Sequence, residues 1–78
     1  MSRQLIEYVG AWLVDHPEEL ALTEVEGEGG AVILELSVHP DDVGKVIGKQ
    51  GRIIRSLRTL AKAAGQRDGR SVTLEVVD

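Results

Sequence analysis

Two runs of alternating apolar and polar residues, Ala31 to Val38 and Ser71 to Val77, are separated by a stretch whose apolar spacing is helical. That separation constrains the chain more than any other feature. Strands joined by a tight turn pair antiparallel, whereas strands with helices between them pair in parallel through a right-handed crossover. Val32, Leu34, Leu36 and Val38 fall on one face of the first run, and Val72, Leu74 and Val76 on one face of the second. A slip of one residue would exchange the faces, so register carries the fold.

The remaining segments complete the order α-β-β-α-α-β. From Ser2, read as a helix N-cap, Leu5, Ile6, Val9, Trp12 and Leu13 recur at three- and four-residue steps, the stripe of an amphipathic helix. Pro17 either closes that helix or opens a further turn. Leu20 to Glu26 and Ala31 to Val38, joined by Gly27-Glu28-Gly29-Gly30, read as a β-hairpin. Pro40-Asp41-Asp42 has the Pro and the carboxylates that suit a helix start, and begins a short helix through Ile47. Gly48-Lys49-Gln50-Gly51 interrupts it, a longer helix resumes around Arg52, and Gly65 ends that helix before a loop to Arg70. The expected class is α+β, a three-stranded mixed sheet with the helices packed on one face. Its core should gather Leu5, Val9, Leu13, Val32, Leu34, Leu36, Val43, Ile47, Ile53, Leu57, Leu60, Leu74 and Val76.

Length and composition narrow the possible chemistry. Seventy-eight residues without cysteine have room for one domain, residues 1–78, and for no large enzymatic cleft. The longest uncharged stretch near the N-terminus, Tyr8 to Val14, falls far short of the ~18 apolar residues of a membrane span. No signal-peptide pattern follows Met1, and a cysteine-free chain suits a reducing compartment, so a cytoplasmic location is expected. The net charge of −4 hides a division: residues 1–44 hold one basic and ten acidic residues, a balance of −9, while residues 45–78 hold eight basic and three acidic, +5. On the second helix of the pair, Arg52, Arg55, Thr59 and Lys62 share the face opposite Ile53, Ile54, Leu57, Leu60, Ala61 and Ala64. Either this is an ordinary solvated helix face or it is the footprint of a polyanion-binding surface. His16 and His39 each precede a Pro at a helix start, where capping is their expected role, and no spacing calls for a metal or a cofactor.

The segment richest in chemistry is Gly48-Lys49-Gln50-Gly51. Glycine lacks a Cβ, so another backbone can approach closely, and N–H groups opening the next helix suit a phosphate oxygen. A plain helix-helix turn would also use glycine. A P-loop fails on spacing, because three residues separate Gly44 from Gly48 and Gln50, not a hydroxyl residue, follows Lys49. Val46-Ile47-Gly48-Lys49-Gln50-Gly51-Arg52-Ile53-Ile54 resembles the I-G-x-x-G signature of the K-homology (KH) family, whose loop clamps a nucleic-acid backbone. The element order is similar to that of type II, bacterial KH domains, and the length to the small stand-alone KhpA family. The likeness spans nearly the whole chain and is most specific from Val38 to Ala64.

The resemblance implies single-stranded RNA as partner, with Gly48 and Gly51 admitting its backbone and Lys49 and Gln50 facing phosphates. It further implies an RNA chaperone or post-transcriptional regulator, pairing with itself or with a larger KH-containing protein, and a link to cell elongation and cell-wall synthesis. Charge and spacing add Lys45, Arg52 and Arg55 to the candidate site. Ile47 and Ile54 either touch bases or belong to the core. With no Phe, and Tyr8 and Trp12 on the first helix, stacking is scarce, so affinity should lean on phosphate contacts. The competing reading is a protein-docking module in which the glycines only close a turn and the first helix or the Ile54 region meets a partner.

Overall fold

A strand that pairs in parallel can be reached only by a chain that travels back over the sheet, and it does so here through two helices. In the computed structural model, which describes residues 2–77 with Ser2 as backbone alone, the order is α1 (Ser2–Leu13), β1 (Ala21–Glu26), β2 (Val32–Ser37), α2 (Val43–Ile47), α3 (Arg52–Arg67) and β3 (Val72–Val77). Capping by the Ser2 side chain lies outside the described residues. The sheet runs β1-β2-β3, with β1 antiparallel and β3 parallel to the central β2. Leu34 faces Leu74 and Leu36 faces Val76 across the parallel pair, so the residues that the alternation puts on one face do share it. Pro17 opens a further helical turn, Pro17–Glu19, rather than ending α1.

The core forms where α1 and α3 pack on each other and on the sheet. Ile6, Leu34, Leu36, Leu57, Leu74 and Val46 are its largest fully buried apolar side chains. Val9, Leu13, Val43, Ile47, Ile53 and Val76 surround it, half-buried. Leu5 is half-buried beside the fully buried Ile6, so the stripe on α1 is centred one residue later than the spacing suggested. Trp12, read as part of that stripe, is 77% exposed and packs edge-on against the equally outward Tyr8. Ile6, Leu13 and Val14 already fill the inward arc, and Trp12 projects from the other side.

Two expectations on α3 are overturned. Leu60 is 39% exposed, because the buried stripe runs Ile54, Leu57, Ala61, Gly65 and leaves Leu60 on its flank. Gly65 does not terminate the helix, which continues to Arg67. It is buried, and a Cβ there would stand 2.4 Å from Val72 Cγ2 and 3.0 Å from the Arg70 carbonyl oxygen. The glycine lets α3 touch the start of β3; chain reversal follows, with the Asp68 and Arg70 amides both donating to the Gly65 carbonyl.

Among the described residues one polar side chain is fully buried, the carboxylate of Asp42, just ahead of α2. It accepts from the Asp15 and His16 backbone amides at 3.2 and 3.0 Å and pairs with His16 Nδ1 at 3.1 Å, tying the end of α1 to the start of α2. Burial alone would push this carboxyl up; the amide and imidazole hydrogen bonds outweigh it and hold Asp42 below its ordinary 3.8. His16 is raised above 6.5, chiefly by its bond to Asp42. The capping expected of His16 is therefore replaced by this cross-link, whereas His39 does cap, its Nδ1 accepting from the Asp41 amide at 3.0 Å.

Three outcomes follow from this packing. Leu34→Ala should lower unfolding free energy by about 2–5 kcal/mol, measured by urea titration, whereas Leu60→Ala should change it by about 0.5 kcal/mol or less. Asp42 stabilises above its unfolded value of 3.8 and loses that contribution as pH falls through its lowered folded value. His16 stabilises fully below 6.5 and loses its contribution as pH rises through its raised folded value, so thermal midpoints in EDTA should fall on both sides of that window. Asp42→Asn should flatten both limbs, and His16→Gln should abolish the alkaline limb and weaken the acid one, since its imidazole helps to hold Asp42 low.

Candidate nucleic-acid interface

The break between α2 and α3 is built from left-handed backbone. Gly48 has φ 76°, Gln50 56° and Gly51 72°. Gly48 is irreplaceable on two grounds: positive φ disfavours any side chain, and its Cβ would come within 2.6 Å of Ile53 Cγ1. Inside the loop, the Gly48 amide donates to the Gly44 carbonyl, the Gly51 amide to that of Gly48 and the Arg52 amide to that of Lys49. The amides of Lys49 and Gln50 have no partner among the described residues. The loop thus offers two free N–H groups and two exposed polar side chains on a segment that no Cβ obstructs at its glycines.

The adjoining turns of α3 supply charge. Arg55 Nη1 donates to the Gln50 carbonyl at 2.8 Å, which holds the left-handed residue in place, and Arg52 Nη2 lies 3.5 Å from Gln50 Oε1. Arg52, Arg55, Ser56, Thr59 and Leu60 line an open groove of about 630 Å³. Its hydroxyls already donate to the helix, Ser56 to the Arg52 carbonyl and Thr59 to the Arg55 carbonyl, so the two guanidinium groups are its charged donors. Arg58 is committed elsewhere, to the Leu74 carbonyl at 3.0 Å. Arg67 and Arg70 are not among the groove-lining residues, and Arg67 is the last residue of α3, roughly 22 Å from Arg52 at 1.5 Å per residue.

Placement separates the candidate residues into two sets. Gly48, Lys49, Gln50, Gly51, Arg52 and Arg55 form one continuous patch. Lys45 does not join it as a free charge: its ammonium pairs with the Asp15 carboxylate, which raises it above its ordinary value. Ile54 is 5% exposed and packs in the core, and Ile47 is half-buried against it. Spacing alone could not reveal the groove-lining roles of Ser56 and Leu60, since Leu60 reads as core; the i, i+4 relation of Ser56 to Arg52 was the available signal.

Set beside known proteins, this architecture has close counterparts. The family model described as "KhpA/KhpB, KH domain" matches residues 3–76. The chain belongs to the KhpA/KhpB family of KH domains. It is 48% identical over 75 residues to the RNA-binding protein KhpA of Clostridium acetobutylicum, covering 96% of this chain and 99% of the relative. The KhpA of Treponema pallidum is 47% identical over 78 residues, covering 100% of this chain and 96% of the relative. Among solved structures, Aquifex aeolicus Era, as a point variant bound to GDP and aluminium fluoride, superposes with a TM-score of 0.67 at 19% identity. That match covers 96% of this chain and 29% of the Era chain, and shows a shared fold.

The KH loop makes a clear test of its own geometry. Gly48→Ala should destabilise by about 1–3 kcal/mol in chemical denaturation, from positive φ and the clash with Ile53 together. Gly44→Ala, whose Cβ meets nothing within 4 Å, should be neutral or stabilising.

Proposed function

We propose that this KH domain binds single-stranded RNA through the Gly48–Gly51 loop and the adjoining face of α3. The observation that carries the reading is the pair of unpartnered amides at Lys49 and Gln50, on a loop stripped of Cβ at both ends and flanked by Arg52 and Arg55. Free N–H donors and fixed cations side by side match the oxygens of a phosphodiester. Relatives that share nearly half of its residues are RNA-binding proteins by name. The acidic balance of residues 1–44 repels a polyanion from the rest of the molecule and favours approach from the basic side.

The mode of binding follows from what the patch contains. Without an exposed aromatic residue next to the loop, phosphate contacts dominate, so binding is modest, weakly selective for sequence and sensitive to salt. On this reading the protein is a non-enzymatic RNA chaperone or post-transcriptional regulator, a single domain acting in the cytoplasm. Among the described residues no helix is long and apolar enough to cross a membrane. Pairing with a second copy or with a larger KH-containing protein, and a part in cell elongation and wall synthesis, belong to the same proposal by family likeness.

The protein-docking reading is favoured by one observation, the outward Tyr8 and Trp12 on α1, 66% and 77% exposed. The apolar stripe of α1 and the Ile54 region, which that reading first invoked, are occupied by the core. Lys49→Asp with Gln50→Asp separates the two functions. Fluorescence anisotropy with a labelled single-stranded oligoribonucleotide at low salt should show roughly tenfold or greater loss of affinity with an unchanged circular dichroism spectrum. Arg55→Glu should weaken binding less, and its effect should shrink as salt rises. Wild-type affinity in the doubly substituted, folded protein would leave docking as the function.

A further inference from the structure

Where the segment after α1 meets the turn before α2, His16 and His39 stack with ring centroids 3.9 Å apart and planes 15° from parallel. One donor atom from each of His16, His39 and Asp41 lies within 4.8 Å of the other two. Their positions along the chain carry no ligand spacing; the residues come from the segment after α1 and from the turn before α2, brought together by the Asp42 cross-link. We infer that His16, His39 and Asp41 form a binding site for a divalent transition-metal ion, of which Zn²⁺ is the best match.

The hydrogen bonds define which ring nitrogens carry lone pairs. His16 Nδ1 faces the Asp42 carboxylate, so its proton sits there and Nε2 is the free base. His39 Nδ1 accepts from the Asp41 amide, so its proton sits on Nε2, 3.5 Å from a carboxylate oxygen of Glu19. His16 gives its Nδ1–H to the Asp42 carboxylate, the arrangement that orients histidine ligands and raises their basicity at metal centres, while the basic Nδ1 of His39 is held by the Asp41 amide. Asp41 Oδ2 stands 3.7 Å from His39 Nδ1 and supplies the anionic third ligand. Two imidazoles and one carboxylate, with water completing a tetrahedron, are a donor set for Zn²⁺ rather than for the oxygen-seeking Mg²⁺ or Ca²⁺.

Coordination requires one rearrangement. A metal ion lies in the plane of each imidazole it binds, and parallel rings cannot both point at it. His16 is anchored by the buried Asp42, while His39 only caps an exposed turn, so His39 leaves the stack and releases the Asp41 amide. The ion then joins the end of α1 to the turn that leads into α2, in a chain with no disulfide to do so.

The test is isothermal titration of the full chain, freed of metal with EDTA and dialysed, with ZnCl₂ at neutral pH, alongside His16→Gln, His39→Gln and the control Glu28→Gln. One Zn²⁺ per chain, a higher thermal midpoint, a shifted Asp41 amide resonance, and affinity reduced by roughly tenfold or more in each histidine variant but not in Glu28→Gln are expected. His39→Gln keeps the Asp42 cross-link intact, so it remains informative should His16→Gln fold poorly. No binding at about 100 μM free Zn²⁺, or equal binding by wild type and His39→Gln, would overturn the site.

Discussion

Parallel pairing of β3 with β2 cannot be achieved by a turn, and most of the molecule is shaped by the return path that it demands. Residues 38–71 must climb off the sheet, cross its apolar face and come down beside Val32, Leu34 and Leu36 in register with Val72, Leu74 and Val76. Here the journey is made by two helices, α2 and α3, with a change of direction between them. The left-handed residues at Gly48, Gln50 and Gly51 provide the change, and so the same bend that closes the crossover also lifts two amides away from the internal hydrogen-bond ladder. Site and fold share one piece of backbone.

Charge is then sorted by where the crossover leaves each residue. Arg52 and Arg55 sit one turn into α3, next to the bend, and one of them holds the Gln50 carbonyl. Lys45, three residues before the bend, projects back toward α1 and is neutralised by Asp15. The Asp42 carboxylate fastens that same corner with two backbone amides and an imidazole, and removes from solvent a charge that would otherwise oppose a polyanion a few residues away. The corner and the loop are separate in chemistry, one acidic and histidine-bearing, the other basic, although only a five-residue helix lies between them.

Much of this was legible residue by residue. The alternation in β2 and β3 carried which face is buried, because a one-residue slip would expose it, and the helices between them carried the parallel direction. The G-x-x-G break, the six-element order and the family likeness agreed because all three express the same crossover. Helix faces were read less well. On α1 Trp12 fits the helical spacing as well as Leu13 does, yet Leu13 packs against the core while Trp12 points outward. Leu60 and Gly65 show the same weakness: apolar character suggested burial for one and a helix stop for the other, whereas proximity to the groove and to Val72 decided them.

By itself the amino-acid order determined what depends on neighbours along the chain: which segments are strands or helices, where glycines interrupt the helix pair, and that positive charge gathers after residue 44. Only the tertiary structure decided what depends on contacts between distant segments. It withdrew Lys45 into an ion pair with Asp15, buried Asp42 and Ile54, turned Trp12 outward, and stacked His16 on His39. The physical reason is that a periodicity specifies an angle about an axis, whereas burial and pairing require knowing what lies opposite, and that is settled when the sheet and two helices compete for one small core.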